Sequence, residues 1–513
     1  MKKLVFAASL ILLAVFNLKA QKLSIENVHK VTLRNSDAIK EGSEVKGYYF
    51  FYVSDKIDKR TNEYTLQITD NNLVKLKDIK FQDSKHIVIL ESSFNGKDLV
   101  FLFYNTDSRM LDYQLYGVDG KKKFNYTREL TKKEEVFFKQ SYRFDEDDDD
   151  QAYKGLYPIE GKGFIALMPS REDKDFTFQV DFFSTEKRKQ WSYTPTTGGK
   201  KFYGDYLGTH NGVVYIEVLR GASKMDGNLD SYILGLSQET GKMLFEKPTD
   251  ALKYSFYPTS MSEVNGKSYV YGEYYDPGAN INKAKSLGFA FLGIDEKGAI
   301  TSEKYCSWAL DMAKYLNVSS KGKIDDFGFV YMHNMLPTAD GGIYAIGEGI
   351  YKVANTLGIL ASVATQSTQS LVKVKVTDMI LIKFDKDFNV KEAKIYEKNT
   401  NTLPMPSTLG LSTLPMLGRL LKAYGGFDYS YSQTNKDNSS FSVCYTDYVK
   451  GKGYKGGTFN SISYNEGKIT TDRINTKSEA TRSSVMPGKQ GQVLILDYYK
   501  KAKRIEAHFE KLN

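Results

Sequence analysis

The densest group of chemistry-bearing side chains in this 513-residue sequence is the run Asp145–Asp150, DEDDDD. Hard cations take roughly six to eight oxygen ligands, and neighbouring carboxylates on a loop can supply several. Asp147 and Asp149 are the weak candidates for such a role. The run lacks the alternating spacing and the fixed glycine of a dedicated calcium loop, so a solvated acidic loop is the expected reading. The five histidines, His29, His86, His210, His333 and His508, each stand alone in their segments. None shows the close spacing of a transition-metal site, and structural or surface roles are expected. No Gly-x-Ser-x-Gly stands in strand–turn–helix context, and no phosphate-cradling Gly-x-x-x-x-Gly-Lys-Ser/Thr occurs. Gly451–Gly457, GKGYKGG, reads as a flexible loop. No catalytic residue and no cofactor is assigned.

Such groups would have to be positioned by strands. Tyr and Phe contribute 37 and 30 residues, with only 11 Pro, and aromatic side chains suit a pleated surface. Two kinds of turn alternate along the chain. Asn95-Gly96, Glu160-Gly161, Asn211-Gly212, Asn265-Gly266 and Asp340-Gly341 suit tight hairpins. Asp119-Gly120-Lys121, Ser237–Gly241, Asp295–Gly298 and Asp385–Phe388 end an apolar strand and open a more polar one. Read as units of four strands A-B-C-D, the B strands include Leu99–Tyr104 and Val493–Tyr499, apolar on both faces and hence buried on both. Eight B and eight C strands match seven D strands, and Lys22–Leu33 is left over at the other end. A closed ring resolves this, with the N-terminal strand completing the last sheet. The expected fold is all-β, a β-propeller of seven or eight four-stranded blades with eight preferred. The rival is a β-sandwich or jelly-roll pair.

The long connections, Thr131–Tyr153, Arg220–Asp230, Asp276–Ser286, Ser307–Lys323, Ile350–Val376 and Glu397–Gly426, all fall between B and C or between D and the next A. Those connections share one face of a propeller, so one face is trimmed and the other decorated. Two apolar inserts lie on the decorated face. Leu357, Ile359 and Leu360 belong to the first, and Leu409, Leu411, Leu414, Met416 and Leu417 to the second. Either they cap their own blades, or part of the strip stays exposed to meet a partner or a membrane surface.

The first twenty residues read as a signal peptide, with Lys2 and Lys3, the apolar run Leu4–Phe16, and a cut between Ala20 and Gln21. The run is too short to span a bilayer, and no later segment reads as a span. Residues 21–513 are expected to form one exported, monomeric propeller domain, periplasmic or extracellular. Net charge is +9 with both signs interspersed, which argues against a nucleic-acid partner. Cys306 and Cys444 lie two repeats apart and are expected to be buried free thiols.

Asp340–Glu348, DGGIYAIGE, followed by Asp378–Val390, DMILIKFDKDFNV, resembles the generic Asp-Gly-Gly repeats of bacterial secreted β-propellers. The whole chain resembles a group of uncharacterised secreted proteins of Bacteroidota, through the Ala20-Gln21 junction and Tyr48–Lys80. That resemblance implies a location and a length but no activity. The loop asymmetry and the missing catalytic motifs lead to the expectation of a non-catalytic propeller binding a protein or cell-envelope component through its decorated face. The alternative is a hydrolase acting on glycans or peptides in the central channel. It would need paired carboxylates at a defined separation, and the Ser-x-Asp-x-Gly-x-x-Trp turn of sialidase-type propellers is absent.

Overall fold

Each glycine turn reverses a strand onto its neighbour, and the reversals build eight antiparallel sheets in succession. The computed structural model describes residues 22–512 apart from 143–152, 173–174, 187–189, 223–228, 265, 282–283, 355–371, 405–412, 424 and 452. Blades 1 to 7 span residues 37–84, 87–129, 156–193, 201–248, 255–307, 329–396 and 429–475. Blade 8 spans 482–511, and its fourth strand is Lys22–Ile25, paired antiparallel with Arg504–Lys511 so that Lys22 faces His508 and Ile25 faces Ile505. The two ends of the chain therefore close one ring, as the unpaired strand counts implied. The fold is an eight-bladed β-propeller, with strand A of each blade innermost.

The turns show why glycine is needed. Asn211 and Gly212 have φ of 47° and 77° between two strands of blade 4, the left-handed pair that a two-residue hairpin demands. Burial follows the two-faced apolar pattern. Leu99–Tyr104 of blade 2 is at most 2% exposed throughout. Between blades 1 and 2, Phe51 stacks on Tyr64 at 5.3 Å and meets the edge of Phe103 at 5.8 Å. Each such ring contributes roughly 1.5–3 kcal/mol on burial, so the aromatic content is spent between blades. Cys306 and Cys444 are free and buried in blades 5 and 7.

Among the described residues two α-helices interrupt the strands, both in D–A connections and hence on the decorated face. Helix α1, Lys132–Tyr142, is closed at its start by a reciprocal pair. Thr131 Oγ1 accepts from the Glu134 N–H at 3.2 Å, and Glu134 Oε2 accepts from the Thr131 N–H at 2.9 Å. Helix α2 is Leu414–Ala423. It follows a fifth strand, Asn401–Pro404, which extends blade 6 by pairing with Lys373–Val376. No helix among the described residues is long and apolar enough to cross a membrane.

Candidate functional site at the channel mouth

Helix α2 has the sequence LPMLGRLLKA, with apolar side chains on most of its surface and Arg419 and Lys422 three residues apart on one side. Met416, Leu417, Leu420 and Leu421 are buried against Tyr331, Ile350, Val374 and Val376 of blade 6, and against Leu219 and Leu229 of blade 4. The helix thus straps the inner rims of blades 4 to 6. Gly418 permits the contact: a Cβ there would sit 2.3 Å from the Tyr331 ring. The strap agrees with the first of the two sequence readings of the insert, a cap on the blades, and not with the exposed strip. Met416 and Leu417 are 8% and 0% exposed and pack the helix down, while Leu414 is half-buried. They form no exposed apolar strip, because strand ends of two blades cover them. Leu357, Ile359, Leu360, Leu409, Leu411, Asp147, Asp149, Ala20 and Gln21 lie outside the described residues.

The polar side of the strap reaches blade 4. Arg419 hydrogen-bonds to the fully buried Glu217, lies 3.4 Å from Asp205, and sits 4.7 Å above the Tyr257 ring of blade 5. Burying a charge is tolerable only when it is paired and hydrogen-bonded, and Glu217 has that partner.

A second buried cluster joins blade 6 to blade 7. Glu348, 0% exposed, is the glutamate that ends the Asp-Gly-Gly repeat. His333 Nε2 donates to its Oε2 at 3.0 Å, and Lys398 Nζ lies 3.3 Å from its Oε1. The backbone N–H groups of Asp428 and Tyr429 donate to the same carboxylate at 3.2 and 3.0 Å. Lys398, its side chain wholly buried, also bonds Asp428. Burial pushes Asp428 up to about 6 and holds His333 below its ordinary value. Burial opposes the charge of Glu348 too, but His333 and Lys398 outweigh it and keep this carboxyl low.

His333 is aimed by a β-bulge. In blade 6 the pairing steps from Met332 to Asn334, leaving His333 as the extra residue. Its ring stacks on Tyr429 at 4.5 Å and meets Phe427 edge-on at 4.6 Å. The other histidines stay peripheral where their contacts are known: His86, His210 and His508 lie 4.0, 3.9 and 3.6 Å from single carboxylates. Among the described residues no three His, Cys, Asp or Glu side chains gather as metal ligands.

Between blades 5 and 6 a cavity of about 200 Å³ opens beside the start of α2, lined in part by Glu273, Tyr275, Tyr331 and Leu414. Tyr275 donates to Glu273 Oε2 at 2.7 Å, and burial raises Glu273 to about 7.

Sequence reasoning missed these carboxylates, although a signal existed. Glu217, Glu273, Glu348 and Asp497 all stand in B strands amid apolar residues: VVYIEVL, YVYGEYY, YAIGEGI and VLILDYY. A charge recurring there breaks the two-faced apolar pattern at one level of the ring.

Fold and site together define a closed eight-bladed propeller whose inner rim is strapped on one face and braced by buried ion pairs. The whole chain, residues 1–513, matches the family of unknown function DUF6770, and the protein belongs to that family. No curated protein matches its sequence. Among solved structures it is similar to the β-propeller domain of the Trilobed protease from Pyrococcus furiosus, at 10% identity over 95% of this chain and 97% of that one, with a TM-score of 0.35. A prolyl endopeptidase gives 11% identity, 91% and 55% coverage and a TM-score of 0.40. Prolyl oligopeptidase B from Galerina marginata gives 9%, 91% and 57%, and 0.37. The chain spans little more than half the length of the two prolyl peptidases.

Proposed function

We propose that this protein is an exported, non-catalytic propeller that binds a protein or cell-envelope component through its decorated face. The observation that carries this reading is the use made of the buried charges. Glu217 and Arg419 brace the strap, and Glu348, His333, Lys398 and Asp428 join two blades. Side chains that elsewhere perform acid–base chemistry are consumed here in holding a rigid rim beneath long connections. The hydrolase reading draws on Glu273 and Tyr275, a carboxyl that titrates near neutrality beside a cavity. Against it, Glu273 is the one carboxylate among the residues lining that cavity, whereas glycosidases pair two. The cavity, about 200 Å³, is also smaller than the roughly 300–1,000 Å³ of ordinary ligand sites.

The test compares two triple variants of exposed apolar residues in capture from envelope extracts. Val136, Leu310 and Tyr448 are 53%, 71% and 42% exposed on the decorated face, and Val74, Val118 and Met243 are 57%, 57% and 53% exposed on the trimmed face. Changing the first three to Asp should abolish capture of the main bound component, and changing the second three should not. The reverse pattern would reject the reading. Turnover of a polysaccharide or peptide that is lost in Glu273→Gln would replace it with the hydrolase.

A further inference from the structure

A groove of about 790 Å³ lies between blades 1 and 2 on the decorated face, away from the strap. Its walls come from the segment entering blade 1, the B–C connection of blade 1, the link from blade 1 to blade 2, and helix α1. Among the lining residues are Lys30, Arg34, Lys56, Lys59, Lys85 and Lys139. The whole chain holds 71 Lys and Arg against 62 Asp and Glu, so this concentration of one sign is local. Asp58 is the one carboxylate among the lining residues, and it is already engaged, accepting from the backbone N–H groups of Arg60 and Thr61 at 2.7 Å each. Lys56, Lys59 and Lys85 form no ion pair among the described residues. Lys139 is held 2.7 Å from Glu135, and Arg34 donates to the Tyr142 carbonyl at 3.3 Å. The rim therefore presents several ammonium groups at once, three of them with no carboxylate partner among the described residues.

A second feature narrows the ligand. Asn35 lines the same groove, is only 6% exposed, and its Oδ1 has no hydrogen-bond partner. A buried acceptor left unmade costs roughly 1–3 kcal/mol. An inorganic sulfate dianion offers only acceptors and would leave Oδ1 unpaired. A sugar hydroxyl can donate to it once the Asn35 side chain turns toward the groove, since the oxygen itself is covered. We propose that the groove binds an acidic polysaccharide, one that carries uronate carboxylates or sulfate esters and free hydroxyls along the same chain. The anionic groups meet the lysine rim, and a hydroxyl meets Asn35. This inference rests on the proposed role of the decorated face as a binding surface and adds the ligand class and the place.

The experiment titrates the full chain with polygalacturonate and with heparin oligosaccharides, and separately with neutral dextran, inorganic sulfate and duplex DNA, at about 0.15 M salt where exposed charges are largely screened. One acidic glycan should bind, dextran and sulfate should not, and affinity should fall steeply with salt. The triple variant Lys56→Glu, Lys59→Glu, Lys85→Glu should lose roughly tenfold or more in affinity, about 1.4 kcal/mol per decade. A matched triple on the trimmed face, Lys121→Glu, Lys297→Glu, Lys386→Glu, should lose nothing. Asn35→Ala should weaken glycan binding several-fold while leaving any DNA binding unchanged, and thermal melts of all variants check the fold. The proposal is overturned if no acidic glycan binds, if both triples weaken binding equally, or if DNA binds as tightly and Asn35→Ala is without effect. The last result would mean bare charge attraction. If the protein captures an envelope protein through the decorated face but ignores acidic glycans, the groove inference fails and the binding role of the face stands.

Discussion

The two buried charge clusters at the inner rim start from the same place in the repeat and end as different devices. In blade 4 the B-strand carboxylate is Glu217, and its partner, Arg419, arrives from an insert more than two hundred residues away in sequence. In blade 6 the equivalent carboxylate is Glu348, and its partners are His333 on the adjoining strand and Lys398 and Asp428 just beyond the blade. The difference follows from the bulge. The extra residue is Leu207 in blade 4, where pairing steps from Tyr206 to Gly208, and His333 in blade 6. Where the bulge offers an apolar side chain, the carboxylate is left to an insert. Where it offers an imidazole, the blade supplies one partner itself and Lys398, just past its last strand, supplies the cation. The first device is a clamp whose cation stays charged at every physiological pH. The second contains a carboxyl that titrates at about 6. Buried pairs of this kind specify geometry more than they add stability, but breaking one is costly.

That contrast is broken most severely by removing one partner. Arg419→Ala leaves Glu217 buried without its cation and should destabilise the protein by about 3–5 kcal/mol in chemical denaturation. The double change Arg419→Leu with Glu217→Leu should recover most of the loss, since no charge is then stranded. A double variant as unstable as the single one would mean that the strap is held by packing alone. Lys398→Met tests the other cluster and should cost about 2–4 kcal/mol at pH 7.5. Here the penalty should shrink at pH 5. Asp428, already raised to about 6, then carries a proton and no longer repels Glu348. An equal penalty at both pH values would show that Asp428 does not share the site.

Gly418→Ala is a milder probe of the strap. The new Cβ would meet the Tyr331 ring at 2.3 Å, and that ring is itself stacked on Phe427 at 4.6 Å. Overpacking of this sort costs about 1–3 kcal/mol, against a gain of about 1 kcal/mol from better helix propensity. The net change should be a loss, read as a lower Tm, and a gain would mean that the helix is not seated on Tyr331.

The blades and the strap differ in how far they could be read from residues alone. Asn211-Gly212 and Leu99–Tyr104 declare their conformation locally, one through positive φ and the other through apolarity on both faces. The leftover segment at Lys22 and the missing eighth D strand then forced closure of the ring. The clusters could not be reached that way, because Glu217 and Arg419, or Glu348 and Asp428, meet only once the blades are in place. For the insert, apolarity was legible and its direction was not. Met416 and Leu417 could have capped the blades or met a partner, and they face the blades. The interruption by Arg419 and Lys422 was the mark of the polar side. His333 looked isolated because its partner lies across a hairpin, at Glu348.

The smallest effect sharpens the comparison from a third blade. Glu273 occupies the same B-strand position in blade 5 and has neither an arginine nor a lysine as partner, only the Tyr275 hydroxyl. Burial therefore raises it to about 7. Between its ordinary value near 4.5 and that figure, the folded protein holds a proton that the unfolded chain has released. Stability supplied by this group is then complete below about pH 4.5 and is lost as pH rises through about 7. With allowance for its partial exposure to the cavity, the contribution is about 1–2 kcal/mol. Glu273→Gln keeps the hydrogen-bonding shape without the titration, so its stability should be flatter from pH 5 to pH 8 and should exceed that of the parent at the upper end. Glu217→Gln, which strands the Arg419 cation, should lose stability at pH 7. If the slope survives Glu273→Gln instead, an unpaired carboxylate at this level of the ring is not what distinguishes blade 5 from its two braced neighbours.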